Sequence, residues 1–348
     1  MKRDRNSNLE ILRILAMFMI IGHHLALYSS FSFENELTNI NQYYVLFLEM
    51  GGKIGSNIFF LITGYFMVSR KEFNKLKLVQ FIVQVFLYSI TISTIFIGSG
   101  LIEYADKLVL HALFPLTYST WWFATAYIVL YLLSPFINVL IENLSKEQYK
   151  KLIVLTTVLF SIIPTIFNQT FQCNALVWSI YLYFLGGYIK IHLSKKINLK
   201  YAIPILIGSI LSTYLLTIIL MKTSIHIELY GLSRKQLFEM QTIPVLVISV
   251  LFLIIFLNIP PKKNKIVNYV ASSTFAVYLI HEHPYVRNYL YTHVFDNLKF
   301  AESSKLVPYT LIEILCIFTL GILIESIRKI IFDSLIQFIF NKVKNNKI

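Results

Sequence analysis

The 348-residue sequence carries little charge for its length. Only 14% of its residues are Asp, Glu, Lys or Arg, whereas soluble domains average about 25%. Two cysteines are too few for a disulfide scaffold, and 12 glycines and 9 prolines exclude a collagen-like composition. Disorder is excluded because 56% of the residues are hydrophobic. The same balance excludes a soluble enzyme with one buried core.

Several motifs of soluble enzymes are also missing. The sequence has no Walker A loop, no Gly-x-Ser-x-Gly elbow and no paired acidic residues of the kind that hold a sugar-nucleotide metal. The spacings of His, Cys, Asp and Glu match no zinc site. Cys173 and Cys316 lie in different apolar stretches, so we expect packing residues, neither a disulfide nor a metal pair. We therefore expect no metal ligands in this chain.

Apolar residues are spread along the whole chain, whose mean hydropathy is +0.66. About 20 apolar residues are enough to cross a bilayer as a helix. The predicted spans are 9–29, 45–68, 78–98, 121–141, 152–168, 175–193, 201–221, 240–258, 266–288 and 308–330. The stretch 101–118 is interrupted by three charged residues, so we predict an interfacial or re-entrant loop there. The predicted fold class is all-α, a polytopic transmembrane helix bundle of about ten spans.

Lysine and arginine are distributed unevenly among the connections between these spans. Most of the 31 basic residues lie in alternate, short connections and at the two termini. The opposite connections are longer and hold only Lys53, Lys107, Lys222, Arg234, Lys235, Lys299 and Lys305. The positive-inside rule then predicts that both termini are cytoplasmic. The net charge of +13 therefore indicates the topology of the chain and a contact with anionic lipid. It does not indicate nucleic-acid binding.

No connection is long enough for a separate soluble domain. We therefore expect residues 1–348 to form one integral membrane domain, with a motif-bearing core of about 8–330. Any chemistry must then take place within the bundle or at its two faces.

The first predicted span contains ionisable side chains, which are costly inside a membrane and indicate function. It carries Glu10, Arg13, His23 and His24. At about 100° per residue, Arg13 and His24 lie within about 20° of one helix face, with Glu10 beside them and His23 about 80–100° away. His24 would stand about 16 Å above Arg13. Alternatively, Arg13 snorkels to the headgroups and pairs with Glu10.

The ninth predicted span repeats this pattern with His281, Glu282, His283 and Arg287. His281 is expected at the same depth as His24, about 22 Å from the cytoplasmic end of its helix. Two imidazoles at one level, with a carboxylate beside them, can act as a base and its orienting partner. The alternative is a cluster at the outer interface that only caps the helix.

The sequence resembles acyltransferase family 3, whose members are integral membrane proteins. The segment from Leu9 to His24 is similar to the family's first-helix pattern, in which a basic residue precedes a histidine by ten intervening positions. Four later segments match family signatures in order: 59–66 (FFLITGYF), 122–135 (WFATAYIVLYLLSP), 184–188 (FLGGY) and 273–281 (STFAVYLIH). Glu10 stands where the family usually has Asp, and Thr63 where it has Ser.

The resemblance implies an O-acetyltransferase of the bacterial cell membrane. It would take acetyl-CoA from the cytoplasm and modify a hydroxyl of a surface polysaccharide or a lipid-linked precursor. The family's functional pair falls on Arg13 and His24. We expect Arg13, oriented by Glu10, to bind CoA phosphate or orient the thioester, and His24 to act as general base or acyl carrier. His281 and Glu282 are the expected second polar group.

Further contacts follow from the same resemblance. Lys75 and Lys77, at the start of the third helix, are predicted to bind CoA. The predicted acceptor contacts are Asn57, Trp121, Trp122 and Tyr131. The alternative interpretation of the sequence is a transporter or flippase for a lipid-linked glycan, or a glycan polymerase. The absence of two halves with similar sequence disfavours a transporter.

Overall fold

A computed structural model of the protein describes residues 7–31, 37–193, 197–223 and 236–345. Within these ranges every regular element is a helix. The helices are α1 (Ser7–Tyr28), α2 (Ile40–Met67), α3 (Lys75–Gly98), α4 (Asp106–Leu113), α5 (Trp122–Asn143), α6 (Lys146–Thr157), α7 (Ile163–Phe167), α8 (Ala175–His192), α9 (Leu199–Thr223), α10 (Ile243–Asn258), α11 (Lys265–Ala271), α12 (Thr274–His281), α13 (Pro284–Tyr289), α14 (Leu306–Arg328) and α15 (Ser334–Asn345). The predicted all-α class is confirmed.

Eight helical segments of the described chain are long and apolar enough to cross a membrane. They match eight of the predicted spans, with α6 and α7 joined by the π-helical turn Val158–Ile162. The other two predicted spans correspond to α8, with 18 residues, and to the broken series α11 to α13. The chain is therefore a polytopic helix bundle. Residues 1–6 and 224–235, which bear on its orientation, lie outside the described residues, and the cytoplasmic location of the termini stays a prediction.

The interrupted stretch 101–118 contains only the short helix α4. Its 8 residues extend about 12 Å, far less than the roughly 30 Å of a hydrocarbon core. This helix is too short to span a membrane, and the interfacial or re-entrant position of the stretch stays a prediction.

The series α11 to α13 is broken next to two of the predicted site residues. α12 ends at His281, and Pro284 begins α13. Proline lacks an N–H and its fixed φ suits the first turn of a helix, so a new helix starts there. The ring of His283 caps that helix by accepting a hydrogen bond from the Tyr285 N–H at 3.3 Å. Glu282 consequently lies in the break between two helices and not on a continuous helix face.

Glycines allow α2 to pack closely against α1 and α8. A Cβ at Gly55 would lie 2.6 Å from the carbonyl oxygen of Ala16 on α1. Gly64 of α2 lies against the backbone of Tyr183, and Gly186 of α8 lies against the backbone of α2 in return. Small residues at such crossings let helix backbones approach each other in a membrane. Two of the family-like segments of the sequence thus meet at one helix crossing.

Asn57 links α2 to α8 and to the turn before α10. It is fully buried. Its amide nitrogen donates to the carbonyl of Met240 at 2.9 Å, and its oxygen accepts from the indole N–H of Trp178 at 2.8 Å. Both ends of the amide are therefore engaged by protein, and the predicted acceptor contact of Asn57 stays a prediction.

The two cysteines are free, with Cys173 buried and Cys316 exposed. Cys173 lies between α7 and α8, outside the spans, and burial raises the pKa of its thiol to about 12. The thiol is consequently protonated at neutral pH and acts as a packing residue. No disulfide joins the two, as predicted.

Candidate active site

Arg13 and Glu10 form an ion pair near the start of α1. The Arg13 Nη1 lies 3.1 and 3.0 Å from the two carboxylate oxygens of Glu10. Glu10 is buried, whereas the guanidinium of Arg13 is partly exposed and lies 5.8 Å from the ring centre of Phe66. The pair therefore orients the guanidinium while leaving part of its hydrogen-bonding capacity free.

Near the other end of α1, His24 meets the end of α12. Its Nδ1 lies 2.9 Å from Nε2 of His281 and 3.0 Å from Oε2 of Glu282. His281 and Glu282 are both buried. The structure thus brings His24 together with two predicted site residues that lie 257 or more positions later in the sequence.

The hydrogen bonds of His281 determine which nitrogen of His24 can accept a proton. The Nδ1 of His281 lies 2.6 Å from the carbonyl oxygen of Val277. A carbonyl can only accept, so this nitrogen carries the proton, and Nε2 of a neutral His281 is an acceptor. The Nδ1–H of His24 then donates to it. The Nε2 of His24 keeps its lone pair and can act as a base.

Arg287 and Tyr28 complete this cluster on its far side. The Arg287 Nη1 lies 2.8 Å from Oε1 of Glu282 and donates to the Tyr28 hydroxyl at 3.0 Å. Its guanidinium also lies 4.5 Å from the ring centre of Tyr28. The sequence had drawn attention to Arg287 without a role and had not identified Tyr28. Tyr28 lies one helical turn beyond His24, so the spacing could have placed it on the same face.

The same cluster has a donor set that metal ions use. The ligand atoms of His24, His281 and Glu282 all lie within 4.8 Å of one another. Two imidazoles and a carboxylate are common ligands of zinc. In the structure His24 and His281 are hydrogen bonded to each other through two of these atoms, and a bound cation would have to replace that proton. The absence of a metal role stays a prediction.

A cavity of about 200 Å³, here called the chamber, lies inside the bundle between Arg13 and the histidines. Its walls include Arg13, Ile20, Ser56, Phe123, Tyr127 and Tyr278. Ile20 lies one turn before His24, and Tyr278 one turn before His281. The chamber therefore ends about one helical turn short of the histidine pair.

A second cavity of about 690 Å³, here called the vestibule, lies at the Arg13 end. Its lining includes Glu10 and Tyr131. It also includes four cationic residues: Arg13, Arg70, Lys77 and Lys190. Arg13, Thr63 and Tyr127 line both cavities. The vestibule thus adjoins the chamber at Arg13.

Sequence reasoning found only part of the vestibule. Arg70 and Lys190 were assigned to basic connections because topology alone explained their charge. Lys190 faces the ring of Tyr65, with 4.7 Å between its Nζ and the ring centre. Lys77 lines the vestibule, whereas Lys75 lines neither cavity, and the predicted contacts of both lysines with CoA stay predictions.

The predicted acceptor aromatics are not grouped in one cleft. Trp121 is buried, with its ring centre 5.3 Å from that of His283. Trp122 is 37% exposed. Tyr131 lines the vestibule instead, and its hydroxyl accepts from the Asn74 N–H at 3.1 Å. Tyr131 is ten residues from Trp121, so the two are about 15 Å apart along α5.

Comparison with known proteins gives one informative match. A family model described as an acyltransferase domain, that of acyltransferase family 3, matches residues 6–340. No curated protein and no solved structure matches the chain significantly. The matched region contains all of the site described above, together with the eight candidate membrane spans. The chain therefore belongs to acyltransferase family 3 and is a membrane acyltransferase.

Proposed function

We propose that this protein is an O-acetyltransferase of the bacterial cell membrane. Acetyl-CoA enters the vestibule from the cytoplasm, and the acetyl group passes to a hydroxyl of an extracytoplasmic or lipid-linked surface polysaccharide at the His24 end. The observation that carries this proposal is the position of the vestibule and the chamber, one after the other, below the histidine pair.

The dimensions of this path agree with those of the donor. Arg13 and His24 are eleven residues apart on one helix, or about 16 Å. The phosphopantetheine arm of CoA has about thirteen bonds between phosphorus and sulfur, or roughly 15 Å when extended. A phosphate bound near Arg13 would therefore place the thioester close to His24.

The charges of the vestibule suit the other half of the donor. CoA carries phosphate groups at its nucleotide end, and arginine binds phosphate through two parallel hydrogen bonds. Arg13 and Arg70 can bind in this way, and Lys77 and Lys190 add point charges. The chamber beyond is largely apolar and aromatic, which suits the uncharged arm.

In the proposed reaction His24 is the general base. Its Nε2 takes the proton of the acceptor hydroxyl while the hydroxyl oxygen attacks the thioester carbon. The C–S bond then breaks, and His24 returns the proton to the CoA sulfur. His281 and Glu282 hold the ring of His24 in the required orientation. In a second version, His24 carries the acetyl group as an acyl-imidazole before the hydroxyl attacks.

A His24→Ala variant tests this proposal. Surface glycan from cells that express it should lose O-acetyl groups by a factor of about 10²–10⁴, the usual contribution of a general base. His293→Ala is the matched control, because His293 is an exposed histidine that lies against Tyr289 outside the site. Acetate released by mild alkali, with protein levels matched by immunoblot, is the measurement. Normal acetylation by the His24 variant would exclude His24 from the mechanism.

The same experiment separates the alternatives considered for the sequence. A transporter or flippase would change the amount of exported glycan, and a polymerase would change chain length, both without loss of acetyl groups. Labelling of glycan by isotopic acetyl-CoA in membranes would support the acetyltransferase directly.

A further inference from the structure

Lys53 lies inside a membrane helix and has no assigned role. The alternation of basic and less basic connections assigned Lys53 to a connection between spans. The structure instead places it 13 residues from the nearer end of α2, or about 20 Å. That distance is too great for its ammonium to reach the helix end. It forms no hydrogen bond or ion pair with the described part of the chain. A lysine in such a position is costly to insert and indicates function.

The depth of Lys53 in the bundle can be compared with that of residues that line the chamber. Ser56, one turn along α2, lines the chamber, as Ile20 of α1 and Tyr278 of α12 do. One turn beyond each of these residues, away from the vestibule, lie Lys53, His24 and His281. Three helices thus place these three residues in one layer at the end of the chamber.

The charge of Lys53 acts on this layer. Both His24 and Glu282 are among the groups that its ammonium influences electrostatically. The other nearby cation, Arg287, is neutralised by its ion pair with Glu282 at 2.8 Å. Lys53 therefore supplies a second positive charge, besides Arg287, at the level of the histidines.

We propose that Lys53 is a catalytic residue that binds the carbonyl oxygen of the acyl thioester and stabilises the oxyanion of the tetrahedral intermediate. This inference rests on the proposed acetyl transfer. When the hydroxyl oxygen bonds to the thioester carbon, the carbonyl electron pair moves onto oxygen, beside the ammonium. When the carbonyl re-forms, the C–S bond breaks and the CoA sulfur takes the proton held by His24. Lys53 keeps its protons throughout.

The test compares Lys53→Met and Lys53→Arg with the wild-type protein, purified in lipid nanodiscs. Lys107→Met is the matched control, since Lys107 is an exposed lysine on α4. The substrates are acetyl-CoA and surface glycan from a strain that lacks this protein. We expect Lys53→Met to lower kcat by about 10²–10³, as loss of one oxyanion donor does. KM for acetyl-CoA should stay within about threefold, and Lys53→Arg should recover part of the rate.

A second measurement guards against a variant that is merely misfolded. Thermal unfolding in nanodiscs should be unchanged or shifted upward in Lys53→Met, because a charge in the middle of a membrane helix is removed. If that variant is not recovered, Lys53→Gln gives the same comparison. A wild-type kcat in the neutral variant, or a raised KM for glycan with unchanged kcat, overturns the assignment of Lys53. Failure of the wild-type protein to transfer acetyl would instead overturn the proposed function.

Discussion

Replacement of Gly64 by alanine is expected to destabilise the protein by forcing α2 away from α8. The new methyl group would lie 2.7 Å from Cα of Tyr183, whereas ordinary contacts begin at 3.4 Å. The carbonyl oxygen of Tyr183 would lie closer still, so the two helix backbones would have to separate by more than about 0.7 Å, the difference between these distances. Overpacking of this kind costs about 1–3 kcal/mol. Because Lys53 and Ser56 lie on the same helix, the rate of acyl transfer should fall as well.

Gly208 provides the matched control, because it also lies within a helix. A Cβ at Gly208 would have no heavy atom within 4 Å, so alanine there should stabilise the protein by about 0.5–1 kcal/mol. Thermal unfolding of both variants in nanodiscs, followed by tryptophan fluorescence, measures the difference. Equal stability of the Gly64 and Gly208 variants would refute the close approach of α2 and α8.

Two further predictions concern the vestibule and the core. Alanine at Arg70 or Lys190 should raise KM for acetyl-CoA about tenfold or more, since a hydrogen bond to a charged group contributes about 1.5–3 kcal/mol. Initial rates at varied acetyl-CoA concentration measure this effect, and an unchanged KM would remove both residues from donor binding. Trp178→Phe should cost about 1–3 kcal/mol, because the buried oxygen of Asn57 loses its donor. Thermal unfolding measures this cost, and a variant as stable as the wild type would contradict it.

The helices could be predicted from the sequence because apolar runs of sufficient length have few alternatives to a membrane helix. Every predicted span is helical in the structure. The break at Pro284 was not predicted, since the run 266–288 is continuous in hydropathy. Hydropathy records how apolar a residue is, and it does not record whether its backbone can continue a helix.

The candidate site was predicted in part, and the residues that were missed share one cause. Arg13, His24, His281 and Glu282 were identified because charges inside apolar runs are conspicuous. Arg70 and Lys190 were attributed to the positive-inside rule, which explains a basic residue without assigning it a function. Lys53 was attributed to a connection by the same alternation. Only the packing of α2 against α1, together with the chamber that α1, α2 and α12 line in common, places it at the level of the histidines.

The chamber adjoins the vestibule at Arg13, and the hydrogen-bonded layer of His24 and His281 lies one helical turn beyond its other end. On the proposed function the donor is CoA, which is too bulky to cross that layer, so the spent carrier would have to return through the passage by which it came. Free CoA would then compete with acetyl-CoA for the vestibule. The glycan would bind on the opposite side and would not compete with free CoA. In the proposed reaction, this layer would allow an acyl group to pass from one side of the bundle to the other without a continuous open channel.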